Sequence, residues 1–190
     1  TTEIVVISAA GFLAMFVAAG GAIVATAFGK PYADMGTVVA WLACMWALRS
    51  IAAVPAYALI ARGHTQPLLP SALIRALALL PAAWAALTGY GLATIAAIGV
   101  AGECASLLYI CSRLGSAEHA RILLSRLVYL IPAAAIASLT IHTSSRSTGV
   151  ILGAFAAGAI VLVGFLIMPH ARTMVVAWFA RLRNSSVQAV

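Results

Sequence analysis

Charge is what this sequence has least of: 8% of its 190 residues are Asp, Glu, Lys or Arg, with four acidic against eleven basic. A soluble chain of this length needs about 25% charged residues to cover its surface, so a water-soluble globular protein is excluded. With 64% of the residues hydrophobic, disorder, collagen and disulfide-scaffold classes are excluded too. Cysteine is scarce: Cys44, Cys104 and Cys111 are odd in number, lie in apolar stretches and form no CxxC pair. They signal neither a disulfide framework nor a zinc site. The net charge of +7 is carried by residues spread thinly between apolar blocks. With no basic run and no interleaved aromatics to track phosphates, nucleic acid is not an expected partner. No initiator methionine precedes Thr1-Thr2-Glu3, so the chain is expected to be processed or part of a longer one. The acidic start and the 25 uncharged residues from Ile4 to Phe28 do not suit a signal peptide.

What is present is a series of long apolar blocks. A bilayer core about 30 Å thick needs about 20 helical residues. Six blocks of that length appear, at 4–28, 36–61, 68–90, 92–112, 122–141 and 148–168. None alternates with a period of two, and lipid-exposed backbone must bond internally, so the expected fold is an all-α polytopic membrane bundle of six helices over residues 1–168. The connections are short, the tightest being Gly91 alone, and none can house a soluble domain. Residues 169–190, with Arg172, Arg181 and Arg183 among Met174, Trp178 and Phe179, read as a basic interfacial tail.

Orientation follows from the cations. Arg62, Arg113, Arg121, Arg126, Arg172, Arg181 and Arg183 fall on one side of the expected topology, and Lys30 and Arg146 on the other. The positive-inside rule then puts both ends of the chain in the cytoplasm. The reversal at Gly89-Tyr90-Gly91 decides this, because a kinked single helix there would change the sidedness.

No enzyme constellation is present. Glu103 is the one carboxylate well inside a span, the four histidines sit at loop or helix ends, and no GxSxG, HExxH or phosphate-cradling glycine loop occurs. No catalytic residue, cofactor or metal is expected. What stands out is ionisable groups at bilayer depth: Arg49 near the middle of the second span and Glu103 near the middle of the fourth. Each costs about 2.5–3.5 kcal/mol at a helix centre facing lipid, so both are expected to look inward. They could pair with each other and merely hold helices together. Alternatively Arg49 lines a wet cavity and meets an anionic substrate, its planar fork suiting phosphate. Arg75, seven residues into its span, can reach back toward the headgroups, as can Arg126. Pro55, Pro81 and Pro132 lie within spans, where proline can bend a cavity-lining helix. Gly149, Gly153 and Ala157 place small residues on one face of the last span, and Gly99 and Gly102 do so in the fourth, as packing faces.

The order of three motifs resembles a family. A helix ends in Phe28-Gly29-Lys30-Pro31-Tyr32, a second ends in Ala61-Arg62-Gly63-His64, and a proline-bounded third closes on Tyr90-Gly91. Over roughly residues 10–113 this is similar to the C-terminal half of polysaccharide biosynthesis proteins. These are the lipid-linked oligosaccharide flippases of the multidrug/oligosaccharidyl-lipid/polysaccharide exporter superfamily. The chain has Thr94-Ile95-Ala96 where that family usually has a second glycine before an alanine pair. Glu103 falls where many members carry an acidic or small polar residue. The resemblance implies a two-lobe transporter of twelve to fourteen helices in the inner membrane, this chain supplying the later part of the second lobe and its partner being the missing N-terminal lobe. It also implies an oligosaccharide on a polyprenyl pyrophosphate, moved outward for surface polysaccharide or lipopolysaccharide. By chemistry and depth, Arg49, Arg75 and Glu103 are the expected substrate-binding residues. A cation-coupled drug exporter of the same superfamily and a scaffold subunit without transport are the alternatives.

Overall fold

The computed structural model describes residues 2–114 and 146–168, together with Thr173 and Ala177. The expected span 122–141, with Arg121, Arg126 and Pro132, and the rest of the basic tail lie outside the described residues. Within them the protein is all-helical. The helices are α1 (Thr2–Phe28), α2 (Gly36–Ala61), α3 (Leu68–Leu77), α4 (Leu79–Leu87), α5 (Leu92–Ser112) and α6 (Arg146–Ile167), with a 3-10 turn at Lys30–Met35. Four helical stretches, Thr2–Phe28, Lys30–Ala61, Leu68–Leu87 and Leu92–Ser112, are long and apolar enough to cross a membrane. α6 occupies the place of the expected last span.

The boundaries have local causes. α2 and α4 each end in a Schellman motif. His64 N donates to Leu59 O at 2.9 Å and Gly63 N to Ile60 O at 2.9 Å, while Tyr90 N donates to Ala85 O at 2.9 Å and Gly89 N to Ala86 O at 3.2 Å. The motif needs a left-handed residue after the cap, and Gly63 (φ 74°) and Gly89 (φ 79°) supply it without a Cβ penalty. The arginine-glycine and tyrosine-glycine elements are thus helix stops with a backbone reason.

The expected span 68–90 is one membrane-length stretch, Leu68–Leu87, whose α-helix is interrupted at Ala78: α3 stops at Leu77 and α4 starts at Leu79. Pro81 has no N–H to offer the carbonyl of Leu77. The ladder runs on around the gap, with Ala78 N donating to Ile74 O at 3.2 Å and Ala82 N to Ala78 O at 3.3 Å. Pro55, buried against the neighbouring helices, leaves α2 continuous from Gly36 to Ala61.

The helices pack as a row, α6 on α1, α1 on α2, α2 on α5, and α5 on α3 and α4. Gly89-Tyr90-Gly91 is a true reversal, because α5 runs back antiparallel to α3: Ser71 meets Ser106 while Ala78 meets Gly102. Among the main buried residues are Val6, Ile7 and Leu13 of α1, Ala43, Ala47 and Ile51 of α2, and Val100, Leu107 and Cys111 of α5. With apolar solvent on all sides, such helices gain from close packing more than from burial, and small residues allow it. Gly153 of the expected small face on the last span does this, and so does Gly11 on α1. A Cβ on Gly153 would stand 2.6 Å from Ala19 Cβ and one on Gly11 2.6 Å from a methyl of Val161. These paired contacts run α6 antiparallel to α1.

One cross-helix bond levels the ends of α2 and α5: Arg62 Nη1 donates to Leu114 O at 2.9 Å. It satisfies a carbonyl just past the end of α5 and sets a cation against the negative end of that helix. Arg62→Ala is expected to cost about 1 kcal/mol, the usual worth of such a bond at a partly exposed site. Hydrogen exchange of the amides at 110–114 should quicken several-fold, and unchanged exchange would show the bond to be idle.

Candidate functional site

α3 and α5 bring together the polar residues at depth. Ser71 and Arg75 are four apart on α3, and Gly102, Glu103 and Ser106 share one side of α5, so each set lies along a single helical face. Ser71 and Ser106, both fully buried, are joined through their hydroxyls at 2.7 Å. Close approach is possible because Gly102 has no side chain to meet Ala78.

Glu103 is 5% exposed, and its Oε2 lies 3.9 Å from Arg75 Nε. That distance allows attraction between charges but is too long for a hydrogen bond. Both of these atoms are buried, and neither has a hydrogen-bond partner among the described residues. The guanidinium instead donates from Nη2 to Ser71 Oγ at 3.3 Å. The Arg75 side chain remains 29% exposed. The result is a cation held loosely at the edge of a buried carboxylate, with two hydroxyls beside it.

Glu103 therefore looks inward as expected. Arg75 leans back toward the start of α3, where its Nη2 meets Ser71 Oγ, and its Nε lies across from Glu103, with which a low-dielectric interior favours pairing. Arg49 is not the partner of Glu103. Contrary to the inward orientation expected of it, Arg49 lies opposite the α2 face built from Ala47, Ile51 and Pro55 and is exposed among the described residues, because that small, apolar face is the one the neighbouring helices cover. Its guanidinium sits 5.5 Å from the ring centre of Trp46, and Ser50 Oγ donates to Trp46 O at 2.9 Å. Trp46 and Tyr57 are exposed along the same face. The expected substrate-binding set is thus divided, with Arg75 and Glu103 together and Arg49 apart.

Sequence reasoning passed over Ser71 and Ser106. Their signal was available, since hydroxyls at i−4 from Arg75 and i+3 from Glu103 in apolar spans share the faces of the charged residues. Among the described residues no group of three His, Cys, Asp or Glu could hold a metal ion. No family model matches the chain, and neither a curated protein nor a solved structure matches it significantly.

Proposed function

We propose that this chain is a six-span part of a larger inner-membrane transporter that flips a polyprenyl-pyrophosphate-linked oligosaccharide outward for surface polysaccharide synthesis, with both of its ends in the cytoplasm. One observation carries the reading. Arg49, thirteen residues after the start of α2 and twelve before its end, presents its charge away from the described helices with an indole face beside it. Left against acyl chains that cation costs about 2.5–3.5 kcal/mol. A water-filled path carrying a phosphorylated cargo removes the cost and uses the charge. Trp46 adds a flat apolar face suited to a sugar ring, and Arg75 is a second cation within the same set of spans.

In the full-length protein, Arg49→Ala is expected to stop surface polysaccharide production while the protein still accumulates in the membrane. Losing one charge-assisted contact of about 1.5–3 kcal/mol weakens cargo binding roughly tenfold to a hundredfold. Normal polysaccharide with that substitution removes Arg49 from the mechanism.

The pairing of Arg75 with Glu103 favours a second reading, in which the polar groups only hold α3 to α5 in a membrane scaffold. On that reading, substitutions at Arg75 and Glu103 alter stability alone and Arg49→Ala leaves polysaccharide unchanged.

A further inference from the structure

α2 and α5 are parallel neighbours that end level. A Cβ at Gly99 would lie 3.4 Å from Met45 Sδ, and toward the C-terminal ends Arg62 Nη1 reaches Leu114 O at 2.9 Å. Each of these membrane-length helices is followed at once by an arginine, Arg62 after Ala61 and Arg113 after Ser112. Both arginines are exposed. The headgroup region begins where an apolar span stops, so both cations lie at headgroup depth.

The two side chains meet at one seam. Arg62 crosses from α2 to the carbonyl of Leu114, the residue next to Arg113. Arg113 lies over the ring of Tyr109, 5.2 Å from its centre, and Tyr109 packs half-buried against the cluster of Leu59, Ile110 and Leu114 between the helices. Among the described residues no carboxylate stands within ion-pair distance of either guanidinium. Most of the side-chain N–H groups of Arg62 and all those of Arg113 are left for an outside acceptor. Held by the carbonyl and the ring, both groups have less freedom to lose when that acceptor binds.

Charge decides what fits. A helix C-terminus carries about half a negative charge, so two guanidinium groups beside two such ends leave about one positive charge uncompensated. A phosphodiester brings one negative charge, and its oxygens accept from the N–H groups of a guanidinium fork. The acyl chains attached to it lie along the apolar helices. A zwitterionic headgroup brings its own cation and gains less.

We infer that Arg62 and Arg113 form a binding site for the phosphodiester headgroup of an anionic glycerophospholipid, in the leaflet that the C-terminal ends of α2 and α5 reach. On the proposed sidedness that leaflet is the cytoplasmic one. The site uses neither Arg49 nor the cargo, so it stands or falls apart from the transport reading.

The test is native mass spectrometry of the full-length protein released from micelles doped with phosphatidylglycerol or with phosphatidylcholine of the same acyl chains. Wild type is expected to retain phosphatidylglycerol at least tenfold better, each arginine supplying roughly fivefold. Arg62→Gln and Arg113→Gln should each lose about that factor, and the double variant should lose the preference. Arg62→Lys/Arg113→Lys keeps both charges and should keep most of it. Lys30→Gln removes a cation at the other end of α2 and should match wild type. The soluble headgroup glycerophosphoglycerol, in excess, should not displace the lipid. Equal retention of the two lipids by wild type, or an undiminished preference in both glutamine variants, overturns the inference. So does displacement by the soluble headgroup, which assigns the pair to a free phosphodiester. A preference that appears only in Glu118→Gln, the acidic residue next along the chain after Arg113, assigns the pair to that carboxylate and overturns it as well. Arg113→Gln decides the matter if the double variant fails to accumulate, because that guanidinium contacts Tyr109 of its own helix and bridges no others among the described residues.

Discussion

Gly102→Val is expected to be the most damaging single substitution in the described part of the protein, lowering stability by about 3 kcal/mol, at the upper end of overpacking costs. A Cβ at Gly102 would stand 2.5 Å from Ala78 Cβ, a separation real carbon pairs do not adopt. The obstacle cannot swing away, because a methyl on the backbone has no rotamer to change. Ala78 also sits at the joint between α3 and α4, where Pro81 has already removed one rung of the ladder. Pushing α5 outward would draw Ser106 from Ser71 and Glu103 from Arg75. Reversible unfolding in mixed micelles measures the loss, with Gly102→Ala expected to show a smaller loss of the same kind. Ala78→Gly opens the space from the other side and should recover much of the Gly102→Ala deficit in a double-mutant cycle. Full stability in Gly102→Val would mean that α3 and α5 do not meet at this point.

Arg75→Leu is expected to cost nearly as much, about 3 kcal/mol, for an electrostatic reason. Removing one partner of a buried pair leaves the other desolvated without compensation. The carboxylate of Glu103 is the more enclosed of the two, with its side chain 7% exposed against 29% for Arg75. Glu103→Leu, which leaves the Arg75 guanidinium without its counter-charge in an apolar span, should also be destabilising. The double substitution Arg75→Leu/Glu103→Leu removes both charges and should return to within about 1 kcal/mol of wild type. Single and double variants of equal stability would show that the pair contributes nothing to the fold. The same unfolding assay reads all of these, and its outcome does not depend on whether the protein transports anything.

Much of the architecture was legible because its signals are local. α2 and α5 occupy the blocks 36–61 and 92–112 as read from hydropathy, and the stops at Gly63 and Gly89 follow from the left-handed residue that a Schellman cap needs. The division of 68–90 was half legible. Pro81 announced a missing bond, but whether a helix bends, splits or absorbs a proline depends on its neighbours. Pro55 shows the contrast, since the same residue type sits in unbroken α2, packed against the adjacent helices.

The polar site was legible only in its parts. The cost of a buried carboxylate predicts that Glu103 turns inward. It does not say which arginine meets it, because Arg49 and Arg75 are equally able to neutralise it on paper. The choice was made when α3 packed antiparallel on α5, bringing together residues 28 apart in the chain. That same order of helices left Arg49 on the opposite side of α2.

Composition and block length by themselves determined that this chain is an all-helical protein with membrane-length apolar helices, because too few charges remain to solvate any other compact form and the backbone must bond within each segment. Glycine and proline positions determined where those helices stop. Which faces touch was decided only in three dimensions, by the close approach of Gly102 to Ala78 and of Gly153 to Ala19. Nearly every face of such helices is apolar, so hydrophobicity cannot rank neighbours, and fit between small side chains does.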